Sequence, residues 1–306
     1  MLSRHSRPVA LSLILVFGAV VLSTSLRAQP VSEGPGSFTL PNSGEPIEVF
    51  TYKPPTYDRG PLLVVIHGSS RNAEAYRNYA IAMAEESGAI VAAPLFDLRR
   101  FSDERFKRGG GVLVGGQPQP REKWTFQVVL RLVADIRKRE GVDNLPYYVI
   151  GHPGGGQFAA KMALFIPDDA VRFVAANPGS NVFPDRDIPF PYGLGGLPLE
   201  LSDSDALRRY CAAPLTLYLG TDDVYQNEED GFDSSPEAMG QGPFRLARNH
   251  NFFETMKRLA AAQGWPFNWR LVEVPHIGHS GARMFKAQQV QVALFGQQPT
   301  ATSTKH

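Results

Sequence analysis

The chain has 306 residues, 43% of them hydrophobic, 20% charged and 10% aromatic. Those are the proportions of a folded globular protein, and they exclude disorder, collagen, coiled coil and a disulfide scaffold. With 31 basic and 30 acidic residues the net charge is +1, so composition offers no electrostatic case for nucleic acid as a partner.

Residues 1–28 read as a secretory signal. Arg4 and Arg7 make a basic start, 9–22 is apolar apart from Ser12 and Gly18, and Leu26-Arg27-Ala28 reads as a small-residue cleavage site. The apolar run is short for a membrane span, and the rival reading is an uncleaved N-terminal anchor. Without 1–28 the remainder carries 28 basic and 30 acidic residues, a net of −2. The expected location is secreted or periplasmic, with no stable membrane span after signal removal. Residues 29–296 read as one α/β domain, and 297–306 as a flexible polar tail. Cys211 is the only cysteine, so no internal disulfide forms. Its place before the apolar run 214–219 suggests a buried structural thiol.

In chain order, two short strands are expected at 37–40 and 47–52, then a continuous apolar strand at 62–67. A helix starts near Asn72, a candidate cap, and ends at Gly88. A strand at 89–95 leads into a polar, glycine-rich loop at 97–120, a candidate site wall. A helix over 121–140 stops at Gly141. A strand at 147–150, a helix at 155–165 and a strand at 171–176 follow. Residues 181–201, rich in Pro and Gly, read as a small cap excursion. A strand at 215–219, a polar insertion at 224–243, a helix at 246–263, a strand at 268–274 and a helix at 281–294 complete the chain. This alternation predicts an α/β fold, a mostly parallel twisted sheet with helices on both faces.

Sites in such sheets form beyond the carboxyl ends of the strands. There the sequence places His67-Gly68-Ser69-Ser70, Gly151-His152-Pro153-Gly154-Gly155-Gly156, Gly220-Thr221-Asp222-Asp223 and Gly278-His279-Ser280. The glycine run is not G-x-G-x-x-G, and no Gly-Lys-Ser/Thr follows it. Close helix–strand packing explains it better than nucleotide binding. Glu228, Glu229, Asp230 and Asp233 lack EF-hand spacing and read as a solvated loop. No His/Cys cluster suggests zinc, so no cofactor and no metal is expected.

This ordered set resembles the α/β-hydrolase family from about Pro61 to Phe295. Asn177-Pro178-Gly179 and Ser235-Pro236-Glu237-Ala238-Met239 before Gln241-Gly242-Pro243 are similar to a secreted esterase- or depolymerase-like branch. The resemblance implies that Asp223, preferred to Asp222 by its spacing from Gly220, orients His279, and that His276 is a loop neighbour. It implies an oxyanion hole made by the amides of Ser69 and Gly154. It also implies a serine in a Gly-x-Ser-x-Gly elbow, where this chain has Pro153. Proline has no hydroxyl to attack an acyl carbon. It is locked near φ of about −65° and cannot adopt the positive-φ elbow, although it suits the first turn of a helix.

Three readings follow. One is an exported esterase-like scaffold, impaired or inactive as a serine hydrolase. Another is a working carboxylic-ester hydrolase that uses Ser69, Ser70, Ser280 or water activated by His279. The last is a non-catalytic protein that binds a small ester or polymer ligand. Oligomeric state is not readable.

Overall fold

In Leu62-Leu63-Val64-Val65-Ile66 every residue is buried, yet the five do not share a core. Side chains alternate across a strand. Leu62, Val64 and Ile66 join one apolar cluster, while Leu63 and Val65 join another. A strand that is apolar at every position therefore requires cover on both faces. The computed structural model describes residues 29–41, 44, 46–167, 170–226 and 231–296. The expected signal at 1–28 and tail at 297–306 lie outside them.

The strands are β1 (Gly34–Leu40), β2 (Ile47–Lys53), β3 (Leu62–Ile66), β4 (Ile90–Pro94), β5 (Leu113–Val114), β6 (Gln117–Pro118), β7 (Tyr147–Gly151), β8 (Arg172–Ala176), β9 (Leu215–Gly220) and β10 (Arg270–Val274). Eight of them form one sheet in the order β1-β2-β4-β3-β7-β8-β9-β10, and β5 pairs with β6 alone. β1 with β2 and β2 with β4 are antiparallel. From β4 to β10 every pairing is parallel. This is the mostly parallel twisted sheet that the alternation of elements predicts.

The helices are α1 (Ala73–Tyr79), α2 (Ile81–Ser87), α3 (Phe126–Glu140), α4 (Gly154–Phe165), α5 (Ser204–Ala212), α6 (Pro236–Gln241), α7 (Arg245–Gln263), α8 (Gly281–Lys286) and α9 (Gln289–Phe295). α1, α2, α8 and α9 bury Tyr76, Met83, Phe285 and Leu294 on one face of the sheet. α3, α4, α5 and α7 bury Leu132, Phe158, Tyr210 and Phe252 on the other. No helix among the described residues is long and apolar enough to cross a membrane.

Several local expectations are corrected. Asn72 precedes α1, but its side chain makes no capping bond. The helix expected from there breaks at Ala80 into α1 and α2. The helix expected over 121–140 is a 3₁₀ turn at Arg121–Lys123 followed by α3, because Trp124 is extended. Its indole Nε1 donates to the Gln119 carbonyl, and its ring packs on Phe165. Burial of that ring outweighs one more helical turn. The expected final helix is broken at Ala287.

Two helices are absent from the sequence reading although their signals are legible. Asp203 caps α5 by accepting from the Ala206 amide. Ser235 caps α6, with Pro236 at its first position. The excursion 181–201 folds back irregularly, placing Val182, Leu194 and Leu197 in the core. Cys211 is buried in α5, and burial raises its thiol to about 11, in keeping with a structural thiol.

Candidate active site

The four loops singled out in the sequence converge beyond the carboxyl ends of β3, β7, β9 and β10. The junction after β7 is the tightest. A Cβ on Gly155 would lie 2.2 Å from the Ile66 carbonyl oxygen, and one on Gly151 would lie 2.3 Å from the Gly155 carbonyl. One on Gly156 would lie 2.7 Å from the Ala176 carbonyl oxygen. The glycines therefore let the start of α4 sit directly on β3 and β8, the packing role expected of them.

Pro153 caps this helix with φ −76° and ψ −36°, a right-handed conformation. The chain turns from β7 into α4 without a left-handed residue at this position, as proline demands. A Cβ on Gly154 would lie 3.1 Å from Ser69 Oγ and 3.4 Å from Ser69 N. Ser69 and Gly154 thus meet at the helix N-terminus, where unpaired amides favour negative charge. The Ser69 loop is pinned by His67. His67 Nε2 accepts from the Phe96 amide at 3.0 Å, which leaves Nδ1–H to donate to the Gly68 carbonyl at 2.8 Å.

Burial lowers the His67 imidazole to about 4 from its ordinary 6.5. Its folded value is depressed, so the unfolded chain binds more protons between those limits. The stabilisation is complete above pH 6.5 and is lost as pH falls towards 4, with about 3 kcal/mol at stake. The thermal midpoint should fall across this window, and less steeply in His67→Gln. Parallel curves for the two proteins would remove His67 as the cause.

Asp223 and His279 come together across two loops. His279 Nδ1 stands 2.9 Å from Asp223 Oδ2, so the Nδ1 proton is donated to the carboxylate and Nε2 keeps its lone pair. Asp223 is 2% exposed, and its other oxygen faces Arg245 Nη1 at 3.5 Å. Asp222 is exposed and touches Thr221, so of the two acids it is Asp223 that meets His279. His276 is an exposed loop residue. Asn177, at φ +43°, ties the loops together. Its Oδ1 accepts from the Gly220 amide at 2.8 Å, and its Nδ2 donates to the Gly278 carbonyl at 3.2 Å.

The sequence reading names no role for His152 or Tyr76, and the structure places both at the site. His152 is buried, with Nδ1 3.1 Å from the Tyr76 hydroxyl and its ring 5.0 Å from that of His279. Burial, then His279, then Arg245 hold it well below the ordinary histidine range, hence neutral. The only signal was its place inside the Gly-His-Pro elbow. Nε2 of His279 makes no hydrogen bond. Ser280 instead caps α8, accepting from the Arg283 amide.

Two cavities flank Pro153. One, of about 550 Å³, is bordered by Ser69, Tyr76, His152 and His279. The other, of about 290 Å³, is bordered by Ser69, Lys107, Arg108, Gln157 and Asp233. Lys107 and Arg108 come from the loop 97–120. Of the acidic stretch, 228–230 lies outside the described residues, and Asp233 accepts from the Tyr192 hydroxyl at 2.7 Å. Among the described residues no three metal-ligating side chains gather.

No family model and no curated protein sequence matches the chain. Solved structures do. Poly(aspartic acid) hydrolase-1 from Sphingomonas sp. KT-1 is 34% identical with a TM-score of 0.80, over 86% of this chain and 99% of that one. LpqC, a poly(3-hydroxybutyrate) depolymerase from Bordetella parapertussis, is 32% identical with a TM-score of 0.79, over 88% of this chain and 93% of that one. An esterase from Pyrobaculum calidifontis, 18% identical with a TM-score of 0.51 over 87% of this chain and 83% of its own, shares the fold. Identity above 30% along nearly the whole of two hydrolases, on a sheet of this order, makes the chain a member of the α/β-hydrolase family.

Proposed function

We propose that this protein is an exported α/β-hydrolase-fold protein, in the periplasm or the medium, that binds an acyl compound, a small ester or a polymer, at the junction of Ser69, Gly154, Asp223 and His279. In this reading the serine path is closed at its first atom. Pro153 stands where a nucleophile would stand, and its ring carries nothing to attack an acyl carbon. The observation that supports this most directly is the contrast at the junction. The Asp223–His279 pair is assembled at 2.9 Å, and Pro153, which borders the same cavity as His279 and Ser69, is right-handed. The two relatives act, by their names, on poly(aspartic acid) and poly(3-hydroxybutyrate), and both are chains linked through acyl carbons. Export rests on the pattern of residues 1–28.

A second reading is favoured by one feature. The unpartnered Nε2 of His279, backed by Asp223, is a base able to take a proton from water. Ser69, Ser70 and Ser280 all border the same cavity as His279, but Ser280 is engaged in capping α8, and Ser69 is the one that meets Gly154, which makes it the favoured stand-in nucleophile. A serine-reactive phosphonate applied to the natural chain separates these readings. The blocked site leaves the protein unlabelled and without esterase turnover. Labelling at Ser69 would establish a stand-in serine, and unlabelled protein with turnover abolished by His279→Ala would establish water.

A further inference from the structure

The smaller cavity has a chemistry that neither the scaffold nor Pro153 requires. Among its described residues only Pro153 and Phe232 bring an apolar side chain to the wall. A pocket for a neutral acyl chain is ordinarily lined by aliphatic and aromatic groups, because buried apolar surface supplies the affinity.

The charges around it do not cancel. Asp103 is shared by Lys107 at 3.0 Å and Arg71 at 3.4 Å. Asp223 serves His279 and Arg245. Asp233 faces Arg108 at 3.6 Å, and its main-chain oxygen accepts from Arg248 at 2.8 Å. Lys161, buried on α4 beneath this wall, makes no ion pair among the described residues and feels both Arg108 and Asp233. Burial first and Arg108 second lower its ammonium to about 7. Besides Lys161, which is only partly charged at neutral pH, five cations (Arg71, Lys107, Arg108, Arg245 and Arg248) thus meet four carboxylates among the described residues, since Asp97 also acts on Arg71.

Two of the cations have donors to spare. Asp233 already accepts from the Tyr192 hydroxyl and, at 3.1 Å, from the Ser235 amide. It therefore engages Arg108 only at long range, and that side chain is 42% exposed. A guanidinium offers five N–H donors in a fork that matches a carboxylate. Lys107 Nζ stands 3.4 Å from Ser69 Oγ, so its ammonium lies at the corner that Ser69 and Gly154 form.

We propose that this cavity is a carboxylate subsite, in which Lys107 and Arg108 receive an anionic group carried on the acyl portion of the ligand. The inference rests on the reading that the acyl carbon is held at Ser69 and Gly154, and it narrows the ligand class to acyl compounds bearing a carboxylate.

Calorimetric titration of the full chain, Pro153 retained, with tri-aspartate and with tri-asparagine, both amidated at the C-terminus, tests it, since the two peptides then differ only in carrying side-chain carboxylates or neutral carboxamides. Tri-aspartate should bind about tenfold or more tightly than tri-asparagine. Arg108→Glu and Lys107→Glu should each erase that advantage, with Arg108→Gln as the milder change if a reversal unfolds the protein. Lys257→Glu, twelve residues along α7 from Arg245 and about 18 Å away, should keep it. Equal affinity for the two peptides, no binding of either, or the same loss in all three reversals would overturn the subsite. Turnover of a neutral aryl ester by Pro153→Ser is read separately. Tri-aspartate binding without any turnover would sink the reading of Ser69 and Gly154 as the acyl corner alone, and turnover without charge discrimination would sink the subsite alone.

Discussion

Replacing Pro153 by serine yields a variant that hydrolyses p-nitrophenyl butyrate about 10³-fold or more faster than the natural chain, because the missing attacking group in a triad is worth about 10⁶ in turnover. On the proposed reading the supporting atoms are already in position. Asp223 holds His279 at 2.9 Å, Nε2 is without a partner, and Ser69 meets Gly154 at the start of α4. The obstacle is the backbone. The turn is right-handed at 153, whereas the family's elbow carries its serine at positive φ. Moving one residue into the left-handed region costs about 1–2 kcal/mol, while a 10³-fold gain corresponds to about 4 kcal/mol of barrier. The gain therefore survives the rearrangement. Pro153→Ala should gain nothing, and His279→Ala in the serine background should abolish the new activity. A folded Pro153→Ser protein that neither turns over ester nor reacts with a phosphonate would show that the remaining site is not that of an esterase.

Gly155→Ala should lower stability by about 3 kcal/mol, near the upper end of what overpacking costs. The added methyl group would lie 2.2 Å from the Ile66 carbonyl oxygen and 2.7 Å from that of His67. Both obstacles are backbone, so no side chain can rotate aside, and α4 has to lift from β3. That movement separates Gly154 from Ser69, so the same substitution disturbs the candidate oxyanion corner. Gly240→Ala in α6 is the control. Nothing lies within 4 Å of its added methyl group, and alanine favours a helix over glycine. Urea unfolding of both variants measures the contrast, and equal midpoints would refute the packing argument.

Much of this molecule is legible from local pattern. Leu62 to Ile66 are apolar at every position, which demands a two-sided strand wherever it lies. Gly88 and Gly141 end α2 and α3 in left-handed conformations, because a helix stop is a property of one residue's backbone. Pro153 is the strongest case, since its ring alone excludes both a nucleophile and a positive φ.

What the chain could not announce depends on residues far apart along it. That Asp223 and not Asp222 meets His279, 56 positions away, depends on which carboxylate the fold buries against it. The break at Trp124 follows from a pocket beside Phe165 for its ring. His152 meets Tyr76 across 76 positions, and the charged cavity draws on the loops after β4 and β9 together with α4. Local periodicity reports which side chains must leave water. Only the packed sheet decides which polar groups then face one another, because those pairings depend on distance in space and not on spacing along the chain.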